Sequence, residues 1–194
     1  MKSPILRTRK DSRIISYLFL GRKPNIICSF SGQEGFKNPT MWGYYANGFK
    51  GIAIEINVDE NAVKEIKYLD KISDVADLAQ GSDDAKAKEL LARKLRAWEH
   101  EHEYRFLGTS GHEDCEIGKI TAVYFGNPYG GIYKKNQEEI YNHSEALRCY
   151  NCHKSALIQV ANRSDIKCAS VKIVTARSAN GEESLAVSED EQLT

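Results

Sequence analysis

The sequence contains no apolar run approaching the roughly 18 residues needed to cross a bilayer, which excludes a membrane-spanning helix. It has no net charge either: 27 lysines and arginines balance 27 aspartates and glutamates, so no global field steers the chain toward nucleic acid or membrane. Its five cysteines are odd in number and irregularly spaced, unlike a disulfide framework. There is no glycine-rich phosphate loop, no G-x-S-x-G elbow and no D-x-D metal motif, so a kinase, a P-loop NTPase or a serine hydrolase is not expected. What remains is a chain of 194 residues, 41% hydrophobic and 28% charged, which suits a soluble, cytoplasmic, globular protein.

Met1 to Arg13 is basic and Ile14 to Leu20 is apolar, a faint imitation of a secretion signal. Asp11 interrupts the basic stretch, and Gly21-Arg22-Lys23-Pro24 stands where small cleavage-site residues belong, so a first helix or strand is expected instead. The same basic segment could touch phosphates, but no interleaved aromatics offer stacking, and nucleic-acid binding is not expected.

The patterning predicts an α+β fold. Asn25 to Ser31 reads as a buried strand, and Asn38 to Gly48 as a short helix with Pro39 near its start and Gly48 past its end. Lys50 to Val58 alternates through Ile52, Ile54 and Ile56 as a half-buried strand, with Glu65 to Leu69 as its hairpin partner or neighbour. Gly81 to Asp84 supplies capping residues for a helix over Ala85 to Trp98, whose apolar stripe is Leu91, Leu95 and Trp98. Glu99 to Leu107 shifts to period two, placing His102, Tyr104 and Phe106 opposite Glu101, Glu103 and Arg105. Strands follow at Glu116 to Phe125 and Lys167 to Thr175, with a turn at Tyr129 to Gly131 and helices over Asn136 to Tyr150 and Cys152 to Asn162. The expected organisation is an N-terminal segment over residues 1–24, one α+β domain over 25–177 and an acidic, frayed tail over 178–194.

Cys149-Tyr150-Asn151-Cys152-His153 fits the C-x-x-C-H haem-attachment pattern, but that chemistry belongs to exported proteins. A zinc site would use Cys149 and Cys152 with His153, Cys168, His112 or Cys115, yet only one paired knuckle is present. His100 and His102 lack the H-E-x-x-H spacing of helical zinc ligands. No metal and no covalent cofactor are expected.

Several blocks in combination resemble a bacterial family, domain of unknown function number 2971. They are Cys28-Ser29-Phe30-Ser31, Met41-Trp42-Gly43-Tyr44-Tyr45-Ala46, Gly51-Ile52-Ala53-Ile54-Glu55, and the Trp-x-x-Glu-x-Glu-Tyr-Arg-like run from Trp98 to Arg105. Ile117 to Gly126 is similar to the isoleucine-rich strand that follows, and the resemblance covers about Asn25 to Thr175. This chain has Tyr44 where members commonly have histidine, and only 24 residues precede Asn25, which implies a shortened relative. The resemblance implies a fold and no activity.

Two readings of the shared residues stay open. Trp42, Tyr45, Trp98 and Tyr104 can form an aromatic core while Arg105 pairs with Glu101 or Glu103. Alternatively Trp42 and Tyr45 form a stacking wall, Arg105 anchors an anion through its planar fork, and Glu101 or Glu103 acts as the catalytic carboxylate. The second reading gives a nucleotide- or NAD-sized ligand site. An aromatic block followed by a glutamate-rich strand is reminiscent of ADP-ribosyltransferases, an analogy at the level of fold. The competing class is a non-catalytic interaction or structural domain. The sequence sets no oligomeric state.

Overall fold

The computed structural model describes residues 25–71, 82–109, 117–127 and 145–193. The expectations for residues 1–24, for the Tyr129 to Gly131 turn, for the start of the helix at Asn136, and for His112 and Cys115 lie outside the described residues. Helices together with antiparallel and parallel strand pairs make the fold α+β, and no described helix is long and apolar enough to cross a membrane. The chain divides into two compact units, Met1–Gly32 with Val58–Ile117, and Gln33–Asn57 with Gly118–Thr194.

The first unit is built on a sheet of β1 (Asn25–Ser31), β6 (Glu103–Thr109) and β3 (Val63–Glu65), with β6 central and both pairings antiparallel. β1 is an edge strand, half-buried rather than fully buried: Ile26, Cys28 and Phe30 are half-buried, while Ile27 and Ser29 are exposed. β4 (Lys67–Leu69) pairs in parallel with β5 (Arg93–Leu95). Residues 65–69 therefore serve β6 and β5, and are not the expected neighbour of the 50–58 strand.

The helix expected to reach Trp98 ends at Leu91. This element, α3 (Asp83–Leu91), starts on Ser82, whose hydroxyl accepts a hydrogen bond from the Ala85 amide at 3.3 Å. It stops because the chain beyond it is claimed by a strand: Lys67 N donates to Ala92 O at 2.8 Å, and β5 then zips onto β4. Cross-strand pairing overrides the helix propensity of Arg93 to Leu95. Arg96–Glu101 forms a 3-10 helix, and His102 takes a left-handed conformation (φ 45°) that turns the chain into β6. The Leu91–Leu95–Trp98 stripe is consequently not formed, and Trp98 is 40% exposed.

The second unit carries a four-stranded sheet in the order β2 (Ile52–Val58), β7 (Gly118–Phe125), β8 (Lys167–Arg177), β9 (Glu183–Gln192). α1 (Gln33–Lys37) and α2 (Pro39–Tyr45) precede it; Asn38 caps α2 by accepting from Thr40 N at 2.9 Å, with Pro39 in the first turn. β7 and β8 run parallel and are joined through α4 (Glu145–Asn162). α4 is one helix, not two: it passes through Asn151 without a break.

Strand alternation sorts the core onto two faces of this sheet. Ala122, Tyr124, Ala169, Val171 and Val187 pack with Trp42 and Ala46, while Val123, Phe125 and Cys168 pack with Ile158 and Ala161 of α4. On β2 it is Ala53 that packs into the core, and Ile52 and Ile54 occupy the more open face.

The tail expected to fray instead carries β9, antiparallel to β8. Its acids find bases on the neighbouring strand: Lys167 meets Glu189 at 2.6 Å, Lys172 meets Asp190 at 2.7 Å, and Arg177 pairs with Glu183. Val187 closes the core beneath them.

Candidate functional site

Glu103 and Arg105 lie two residues apart on β6, so both side chains leave the same face of the strand. The Arg105 fork grips the Glu103 carboxylate, Nε to Oε1 at 2.6 Å and Nη2 to Oε2 at 3.1 Å, while Nη1 donates to Leu91 O at the end of α3. Lys94 on β5 reaches the other side, donating to Glu103 Oε2 at 2.8 Å and to Glu101. The Glu103 amide donates to the Tyr68 hydroxyl at 2.8 Å, and the Ser31 hydroxyl to Glu101 O at 2.6 Å. Glu101 and Glu103 are each 4% exposed.

The electrostatics are those of a closed set, with two cations against two carboxylates. Burial pushes the Glu103 carboxyl up, but hydrogen bonds from Arg105, Lys94 and Ser29 and the charge of Arg105 outweigh it and hold the group down at about 2. Burial works against the charge on Lys94, yet its bonds to Glu101 and Glu103 raise it above the usual lysine range. Glu103 is therefore an anion and not a proton donor at neutral pH. The structure brings three of the five expected site residues together, as a buried ion network. The anion that Arg105 anchors is Glu103.

The two aromatic candidates belong to the second unit. Trp42 is 3% exposed: its ring stacks on Phe49 (5.4 Å, 8°), meets Phe36 edge-on at 6.1 Å, and its Nε1 donates to Phe36 O at 2.8 Å. The expected stacking wall is thus, at Trp42, a core residue with its indole N–H satisfied. Tyr45 is 65% exposed and packs edge-to-face with Tyr44 at 6.5 Å.

The second unit also holds a partly open cavity of about 370 Å³ that no sequence motif marks. α4 contributes Tyr150, His153, Lys154 and Leu157, positions i, i+3, i+4 and i+7 of one helical face. Lys50, Gly51 and Ile52 lead into β2, and Phe125 ends β7. The wall is tied together by backbone: Gly126 N donates to Gly51 O at 3.1 Å, and the Tyr150 hydroxyl donates to Gly126 O. Gly126 cannot be replaced without movement, because a Cβ there would lie 2.1 Å from Phe49 O. Burial pushes the Tyr150 hydroxyl up, so it remains a donor at neutral pH.

The lining divides by chemistry. Ile52, Phe125 and Leu157 are apolar, Lys50, His153 and Lys154 bring nitrogen donors, and among the described residues no carboxylate lines the space. Lys154 Nζ stands 5.6 Å over the Phe125 ring. The cavity sits at the carboxyl end of β7, which pairs with the first residues of β8. The sequence signal that could have found it is the Tyr150–His153–Lys154–Leu157 face, hidden when Cys149 to His153 is read as a metal or haem motif. Among the described residues no three His, Cys, Asp or Glu side chains are grouped to hold a metal ion. Set against family models, curated proteins and solved structures, the chain matches none.

Proposed function

We propose that this chain binds a small nucleotide-like anion in the cavity at the end of β7, and that Glu101, Glu103 and Arg105 are scaffold. The observation that carries the reading is the lining: among the described residues it sets two lysines and a histidine beside an aromatic ring and two aliphatic side chains. Lys50, His153 and Lys154 suit a phosphate, and Phe125, Ile52 and Leu157 suit the flat apolar face of a base. A volume of about 370 Å³ lies near the lower end of the range for small-molecule sites. That favours one nucleotide over a dinucleotide such as NAD.

The reading is one of binding. Transfer chemistry like that of ADP-ribosyltransferases asks for a strand carboxylate open to a ribose, and the Glu103 oxygens are spent on Arg105 and Lys94. The burial of Trp42 likewise favours a non-catalytic role for the blocks that resemble domain of unknown function number 2971, whether or not the chain is a shortened relative. The irregular, odd set of cysteines supports a reducing, cytoplasmic setting.

A thermal-shift panel of AMP, ATP, ADP-ribose and NAD tests the reading. AMP at about 100 times its Kd should stabilise the protein by roughly 2.7 kcal/mol. Lys50→Ala with Lys154→Ala should abolish the shift while the protein still melts cooperatively. No shift with any nucleotide, or an undiminished shift in the double variant, overturns it.

A further inference from the structure

We propose that Cys149 and Cys152 form a reversible intramolecular disulfide that deforms the cavity wall. The regulatory half rests on the binding reading above; the disulfide itself does not.

α4 runs unbroken through both cysteines, so their i, i+3 spacing places them on adjacent turns of one helical surface. Both are exposed, in contrast to Cys168, which is buried, and Cys28, which is half-buried. Helical neighbours three apart have Cβ atoms about 5–6 Å from one another. A disulfide needs them at about 3.5–4.5 Å, although its Cα range of roughly 4.4–6.8 Å accommodates one helical turn. Closing the bond therefore requires the turn to tighten by an ångström or so, and strained, exposed disulfides are the reducible, regulatory kind.

The turn that must move is the one that builds the cavity. Tyr150 lies between the two cysteines and its hydroxyl fastens α4 to Gly126 O, at the end of β7. His153 follows Cys152 directly and lines the same space. Distorting residues 149–152 pulls on the Tyr150–Gly126 tie and on the His153 and Lys154 positions together.

The oxidant is a low-molecular-weight disulfide such as oxidised glutathione. One cysteine thiolate attacks a glutathione sulfur, breaking its S–S bond and releasing one glutathione thiol. The second cysteine thiolate then attacks the protein-bound sulfur and releases the other. Two protons and two electrons pass from the cysteines to two molecules of glutathione, and one S–S bond forms for the one broken.

The test uses the whole protein in glutathione redox buffers, with tryptic mapping and hydrogen exchange. Cleavage after Arg148 and Lys154 isolates both cysteines in a single peptide, residues 149–154. That peptide should lose two hydrogens under mild oxidation and regain them with dithiothreitol, while Cys168 stays reduced. Cys149→Ser and Cys152→Ser should each yield only a glutathione adduct. Oxidation of the wild type should also speed amide exchange around Gly126 and weaken AMP binding about tenfold, the worth of one hydrogen bond. Glutathione adducts or intermolecular dimers without the internal loss of two hydrogens overturn the disulfide. A disulfide that leaves both Gly126 exchange and AMP affinity unchanged overturns the coupling. If reduced protein fails to bind AMP, the binding reading falls, and the mass and exchange data still decide the switch.

Discussion

The two units gather charge in opposite ways. In the first, Lys94, Glu101, Glu103 and Arg105 meet within hydrogen-bonding distance and cancel, and Leu91 O takes a further guanidinium N–H. In the second, Lys50, His153 and Lys154 border a cavity that no carboxylate lines among the described residues. The first cluster has the denser and more conspicuous sequence signature, yet it has consumed its own donors and acceptors. The second is scattered over the chain and borders a space that a molecule could fill. A run of charges is a candidate site only when its partners are not already built in.

The largest expected effect lies in the closed network. Lys94→Met leaves Glu101 and Glu103 buried with one cation fewer, and denaturant melts should show a loss of about 3–5 kcal/mol. A loss below about 1 kcal/mol would mean that the network is solvated and the contrast false. Trp42→Ala should cost a similar 3–5 kcal/mol, since it empties a core position stacked on Phe49. A small cost there would restore Trp42 as a surface wall.

The acid limb of the stability curve sharpens the same contrast. The Glu103 carboxyl sits at about 2 in the folded protein against an ordinary 4.5, so its contribution is complete above about 4.5 and is lost as the pH falls toward 2. Glu103→Gln should flatten stability against pH in that window, measured by urea melts at each pH. An unchanged slope would place the ionic contribution elsewhere. The smallest effect should come from Trp98→Ala, where an exposed ring carries Lys94 at 5.4 Å from its centroid: about 1 kcal/mol or less by thermal melting.

Local chemistry made some of this legible. Asn38 before Pro39 marks the start of α2, apolar runs mark β1, β7 and β8, and the Glu103–Tyr104–Arg105 alternation already places acid and base on one face. What stayed hidden depends on distant partners. Arg93 to Leu95 has helical propensity and becomes a strand because β4 is available. Glu183, Glu189 and Asp190 look like a solvated tail until Arg177, Lys167 and Lys172 stand opposite them. The cavity draws on residues near 50, 125 and 150–157, and no window along the chain contains more than one of these groups.

Backbone NMR during a titration with AMP tests the central claim most directly, since it reports on both clusters at once. The account predicts that the amides of Lys50 to Ile52, Phe125, Gly126 and residues 150–157 shift with one common saturation curve while those of Glu101 to Arg105 stay still. Shifts centred on Glu101 to Arg105, or none at saturating AMP, would contradict it.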